Sequence, residues 1–282
     1  MVDAAEVAAT RGAGARGERF RPYQRILRAQ VRAQLSYRTS FWIDAVSGMT
    51  FTAMDLVTVL VLFNVTSVLG GFAFRDAFFM SAIASLSFSL ADVVVGSIEQ
   101  LRLIIRTGQL DSLLVRPLPL LPQLVSIDMQ TRRVGRVLEG VAVLGVAAGL
   151  VHLRWSAQTV VMIIVTPIAG AALFAAIFVT TATVAFWWID SGEFGSGFTY
   201  GGRDFTNYPM TVYGQFFRRV FAIGLGFAFI AYYPALTMLG RSDPLGLPDW
   251  AGWLSIPIAA LACAVAGIVW RTGVRHYRST GS

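Results

Sequence analysis

The chain contains no lysine, and all 23 of its Lys and Arg positions are arginines. A phosphate-binding loop of the G-x-x-x-x-G-K-[ST] type needs its lysine to reach the β- and γ-phosphates, so this chain builds no such nucleotide site. Charge of either sign is scarce: 14% of residues are charged, against about 25% in soluble domains. A water-soluble body of this make-up has too little polar surface to cover itself. The single cysteine, Cys263, excludes an intrachain disulfide and a thiolate metal cluster, and it reads as a small core hydrophobe. Histidine occurs twice, as His152 and His276. With no H-E-x-x-H spacing and no His-Asp-Ser set, hydrolytic and zinc chemistry lack their groups.

What is abundant is apolar, at 55% of residues. Six runs approach or exceed the roughly 20 residues needed to cross a hydrocarbon core, at about 41–69, 77–98, 134–153, 160–188, 220–239 and 250–270. All arginines except Arg75, Arg154 and Arg241 fall in one alternating set of connecting segments. Arginine-rich short loops stay on the cytoplasmic side, which puts that set and both termini in the cytoplasm and the two histidines on opposite sides. Trp42, Trp155, Trp187, Trp188, Trp250 and Trp270 mark span ends as an aromatic belt. The net charge of +7 lies beside apolar runs, where anionic lipid headgroups are the nearer partner than nucleic acid. The expected class is an all-α polytopic membrane protein with six transmembrane helices. Pro167 and Gly170 are expected to bend the fourth span, and Pro234 to break the fifth near its outer end.

Residues 1–22 carry several arginines and no apolar h-region, and read as a disordered cytoplasmic tail rather than a signal peptide; 23–282 forms the transmembrane domain. Over 23–37, Leu27, Val31 and Leu35 line one helix stripe while Arg21, Arg25, Arg28 and Arg32 line the next. Such a helix lies in the inner headgroup layer or packs on a partner protein.

Two connecting segments are patterned. Between the second and third spans, a short amphipathic helix at 101–106, carrying Leu101 and Ile105, is followed by Gly108. The helix resumes at 110–115 and stops at Arg116-Pro117-Leu118-Pro119, because proline disfavours helix in the residue before it. Leu110, Leu113 and Leu114 offer an apolar ridge flanked by Asp111 and Arg116. It suits a groove on another protein or a lipid surface. The second segment joins the fourth and fifth spans through Gly201-Gly202-Arg203-Asp204-Phe205 to Tyr208-Pro209. Its glycines permit a tight turn, and Arg203 with Asp204 ties the loop to the cytoplasmic span ends.

Charged residues within spans are functional candidates, because burying a charge at the bilayer centre costs about 2.5–3.5 kcal/mol on insertion scales. Asp55 and Asp92 lie inside the first and second runs. They either line a polar substrate path or bond to a neighbouring helix. Asp44, Glu99, Arg136 and Glu139 sit nearer the inner boundary, and Arg136 with Glu139 can pair at i, i+3.

Three stretches in register resemble the ABC-2 type permeases, in a six-span bacterial subfamily: Gly108-Gln109-Leu110-Asp111-Ser112-Leu113-Leu114-Val115-Arg116-Pro117-Leu118, Tyr200-Gly201-Gly202-Arg203-Asp204-Phe205-Thr206-Asn207-Tyr208-Pro209, and Ala228-Phe229-Ile230-Ala231-Tyr232-Tyr233-Pro234-Ala235. The resemblance implies a half-transporter in the bacterial cytoplasmic membrane, paired with a second or sibling permease. Two ATP-binding subunits hold ATP and Mg, so the chain itself carries no cofactor and is no enzyme. It also implies that 101–115 is the coupling helix, that 23–37 is the interfacial connecting helix, and that outer re-entrant helices are built around 234–240. Export of an amphipathic or hydrophobic substrate is the expected activity. The rival from another class is a secondary transporter or channel using Asp55 and Asp92.

Overall fold

The structure is a computed structural model that describes residues 68–127 and 131–277, together with scattered helical positions between 46 and 61. The 1–22 tail, the 23–37 helix and most of the first span, including Asp44 and Asp55, lie outside the described residues.

The described chain opens on a hairpin, β1 (Val68–Leu69) against β2 (Phe72–Ala73), with Val68 facing Ala73 and Leu69 facing Phe72. Its two central residues, Gly70 and Gly71, have φ of +59° and +89°, the left-handed conformation that a two-residue turn of this twist demands and glycine supplies. The second span follows as α1 (Phe74–Val95), a 3-10 turn (Gly96–Gln100) and α2 (Leu101–Arg106). Together they form one rod of 33 residues, about 50 Å at 1.5 Å per residue. That exceeds a hydrocarbon core of about 30 Å, so the 101–106 helix is the projecting end of the second span and not a separate element.

At Gly108, with φ +70°, the chain turns into α3 (Gln109–Leu114) and then α4 (Leu120–Ile127). The third span is α5 (Thr131–Leu150) and the fourth is α6 (Ala157–Thr183), extended by a 3-10 turn to Phe186. Ser156 caps α6 by accepting from the Thr159 N–H at 3.2 Å. Pro167 and Gly170, expected to bend this span, lie within a helix that continues from Ala157 to Phe186. A Cβ on Gly170 would stand 2.5 Å from the Ser87 hydroxyl, so this glycine serves close approach to α1. Helix α1 packs between α5 and α6, and α9 (Ser255–His276) covers α6 elsewhere.

The largest departure from the hydropathy reading concerns the fifth span. The 220–239 run does not cross as one helix. Gln215–Gly224 and Phe227–Leu239 meet at 65°, with the elbow at Gly226, φ +80°, packed against Leu173 and Ile258. Pro234 is in the first turn of α8 (Tyr232–Leu239), where its missing N–H breaks no helical bond. Both flanks of this bent pair are held by one turn: Thr211 donates to the Gly70 carbonyl at 2.6 Å and Arg241 to the Gly71 carbonyl at 3.2 Å. The pair therefore enters and leaves at the same end of the molecule. It is a re-entrant hairpin spanning Gln215 to Leu239, larger than the 234–240 region expected for it.

The segment expected to be a cytoplasmic loop forms instead α7 (Gly192–Thr206), a helix of 15 residues packed along the bundle. Gly192 packs on the Arg102 guanidinium, Gly195 on Thr181, Tyr200 and Arg203 on the Phe88 ring, and Asn207 meets Ser85 at 3.5 Å. Thr211 then reaches Gly70. As residue number rises along this segment it falls along α1, from 102 to 70, so the segment runs the length of α1 in the opposite direction. Hydropathy missed α7 because its five glycines, two carboxylates and arginine dilute the apolar signal.

Adjacent glycines of α7 have opposite environments. A Cβ at Gly202 would lie 2.5 Å from Phe227 Cζ, whereas nothing lies within 4 Å of one at Gly201. Gly202→Ala is expected to lower stability by about 1–3 kcal/mol through overpacking. Gly201→Ala should match or exceed the parent, since alanine is the better helix former by about 1 kcal/mol. Thermal unfolding of the two purified variants measures the difference.

Candidate functional site

The arginine-rich end of the bundle, where α2, α3 and α4 meet the last turn of α9, carries the residues read from sequence as partner-binding. Leu101, Ile105, Leu110 and Leu113 are buried in the chain's own core. The ridge expected to enter a partner's groove is therefore mostly turned inward. Leu110 and Leu113 close onto the bundle, whereas Leu114, on the same stripe as Leu110 one turn on, sits at the edge of that contact. The Gln123 amide holds the end of α3 in place, donating to the carbonyls of Leu113 at 3.2 Å and Leu118 at 2.9 Å. The Tyr277 hydroxyl donates to Asp111 Oδ1 at 3.1 Å, linking α3 to the end of α9. What remains outside is Leu103, Leu114, Val115 and Arg116, with Leu114 43% and Val115 85% exposed.

A second constellation lies between α1 and α5. Asp92 is 3% exposed. Arg133 Nε approaches Oδ1 at 3.4 Å and Arg136 Nη2 approaches Oδ2 at 2.5 Å. Arg133 Nη1 also donates to Ser97 Oγ at 3.1 Å. Gly96 leaves space for the cluster, since a Cβ there would sit 2.2 Å from Asp92 Oδ1 and 3.0 Å from Arg133 Cζ. Asp92 lies 18 residues into α1, about 27 Å from its hairpin end, which puts it near the arginine-rich boundary. Its carboxylate is taken up by two guanidinium groups of the neighbouring span, so it presents no free oxygen to a passing solute. Arg136, read from sequence as a partner for Glu139, bonds to Asp92.

The second sequence motif is distributed along α7 and the turn after it. The Tyr200 hydroxyl donates to Glu99 Oε2 at 3.1 Å. The Arg203 guanidinium sits 5.2 Å from the centre of the Phe88 ring, a cation–π contact rather than the tie to the cytoplasmic span ends expected of Arg203 and Asp204. Asp204 and Gly201 are exposed, Gly202 and Pro209 are buried, and Tyr208 is half-buried. Cys263, expected in the core, is exposed on α9, and its thiol donates to the Ala172 carbonyl at 3.4 Å. Trp270, expected in the aromatic belt, is buried against Phe186.

Sequence reading missed two groupings: the Arg133–Asp92–Arg136 clamp and an aromatic groove between α7 and the re-entrant hairpin. A carboxylate within an apolar run announces that it needs a partner. It does not say which helix supplies one.

Among the described residues, three helices are long and apolar enough to cross a membrane, which marks a polytopic membrane protein. The profile of the ABC-2 family transporter proteins matches residues 49–281, and the chain belongs to that family. No curated protein and no solved structure matches it.

Proposed function

We propose that this chain is the permease subunit of an ATP-driven exporter of amphipathic or hydrophobic substrates, with ATP and Mg bound and hydrolysed in a separate ATP-binding subunit. It works in the bacterial cytoplasmic membrane as one of two permeases, identical or sibling. The first run, α1, α5, α6, α7 and α9 form six crossings with both termini in the cytoplasm. The 23–37 helix rests on the inner lipid headgroups.

The observation that carries the reading is the tip of α3. Leu114 and Val115 are apolar and exposed at an end rich in Arg102, Arg106 and Arg116, where neither lipid tails nor the chain's own core covers them. They sit on a helix anchored from behind by Leu110, Leu113, Gln123 and Tyr277. A firmly held helix with an apolar tip suits transmission of movement from a docked partner, and Leu114, Val115 and Arg116, with Leu103 beside them, take the docking role assigned from sequence to the whole of 101–115. ATP binding closes the partner dimer, the docked tips follow, and the permease pair shifts between inward- and outward-facing states. The arginines facing both Asp92 oxygens count against the ion-coupled alternative.

Co-expression with an ATP-binding subunit encoded beside this gene tests the proposal. The expected result is a stable complex whose ATPase activity is absent from the permease alone, and dye efflux that stops when the partner's phosphate-loop lysine is replaced. Efflux that persists without any ATP-binding subunit would refute it.

A further inference from the structure

Between α7 and the outer arm of the re-entrant hairpin, Gln215–Gly224, lies an apolar groove of about 380 Å³, within the range of small-molecule sites. Its walls are aromatic. Phe217 stacks on Phe221 at 4.8 Å, Phe221 stands 6.1 Å from Phe205 and 6.3 Å from Phe198, and Phe227 closes the inner side 6.0 Å from Phe205. Its floor is open where Gly197 and Gly201, one turn apart, have no atom within 4 Å of an added Cβ. One turn before Gly197 on the same stripe is Glu193, which lines the groove at its arginine-rich end. No cationic side chain lines the groove, and among the described residues Glu193 makes no ion pair.

We infer that this groove is a binding site for an amphipathic organic cation with an aromatic or branched apolar body. The inference rests on the exporter reading and names its substrate class. Phenylalanine faces carry negative charge density and attract a cation lying over them. A carboxylate at the open, exposed end adds a second attraction. The same arrangement disfavours the other occupants. An anionic lipid would bring its headgroup against Glu193, and a second copy related by a two-fold axis along the membrane normal would bring a second Glu193 toward the first. A neutral hydrophobe would gain nothing from the carboxylate.

Two probes of the same shape and opposite charge test this: radiolabelled tetraphenylphosphonium and tetraphenylborate, measured by equilibrium dialysis against the purified permease in micelles, with empty micelles subtracted. The cation should bind at least about tenfold more tightly than the anion, a difference of about 1.4 kcal/mol. Glu193→Gln should remove most of that preference. Gly201→Leu, whose Cβ would meet no atom within 4 Å and whose isobutyl group would occupy the groove, should abolish cation binding while the melting temperature and elution volume stay those of the parent. Equal binding of both ions, or cation binding indifferent to both substitutions, would overturn the proposal. So would a Gly201→Leu variant that changes oligomeric state while binding the cation normally, since the groove would then be a contact between copies. Because the assay uses no ATP and no partner subunit, failure of the exporter reading leaves its result unaffected.

Discussion

Replacing Asp92 with alanine is expected to destabilise the permease by about 3–5 kcal/mol, the usual consequence of removing one member of a buried ion pair. Arg133 and Arg136 would be left with guanidinium groups partly out of water, the first still donating to Ser97. In detergent this should appear as early aggregation and a large fall in melting temperature. Asp76→Ala is the matched control. Asp76 pairs with Arg241 at the opposite end, where the arginine side chain is 42% exposed, and surface pairs contribute about 0–1 kcal/mol. Asp92→Asn separates a clamp from a substrate path. As a clamp, the asparagine variant should melt well below the parent because it returns no charge to either arginine. A variant that melts like the parent and loses only transport would make Asp92 a path residue.

The second large effect is a division within α3. Leu113→Arg should abolish folded protein, because Leu113 is 5% exposed in the chain's own core and an unpaired charge there costs several kcal/mol. The paired replacement Leu114→Asp with Val115→Asp should leave expression and melting temperature unchanged, both side chains being outside. It should weaken co-purification with the ATP-binding subunit at least about tenfold, as loss of an apolar anchor does at a protein interface. Quantitative pull-down alongside thermal unfolding distinguishes the two. If the double variant retains its partner and its transport, the α3 tip is not the docking element.

Several features were legible because they are local. The lengths of 77–98, 160–188 and 250–270 announce crossings, and the structure extends them to Phe74–Arg106, Ala157–Phe186 and Asp249–His276. Gly108 marks the turn between α2 and α3, as its positive φ requires. The family resemblance was carried by short stretches in register, and the profile match over 49–281 agrees with it. The α3 stretch also shows where local reading ends: the Gly108 punctuation survived, whereas the facing of Leu110 and Leu113 did not, because a six-residue helix with leucines on more than one side does not declare which side will be covered.

The amino-acid sequence by itself determined that the protein lives in a bilayer, that it carries no phosphate loop and that it belongs with transport components, since these follow from composition, run length and motif order. Only the tertiary structure decided that 192–206 is a helix packed along the bundle and that 220–239 turns back. Average hydropathy measures the transfer of an isolated segment into lipid. A helix shielded by its neighbours escapes that test: Gly192, Gly195 and Gly202 let α7 press against Arg102, Thr181 and Phe227, and Tyr200 and Arg203 find Glu99 and Phe88. Conversely, an apolar run long enough to span can bend at one glycine and return when both its ends are bonded to the same turn. Which polar side chain meets which partner is a property of helices far apart in the chain, and it is settled only when they pack.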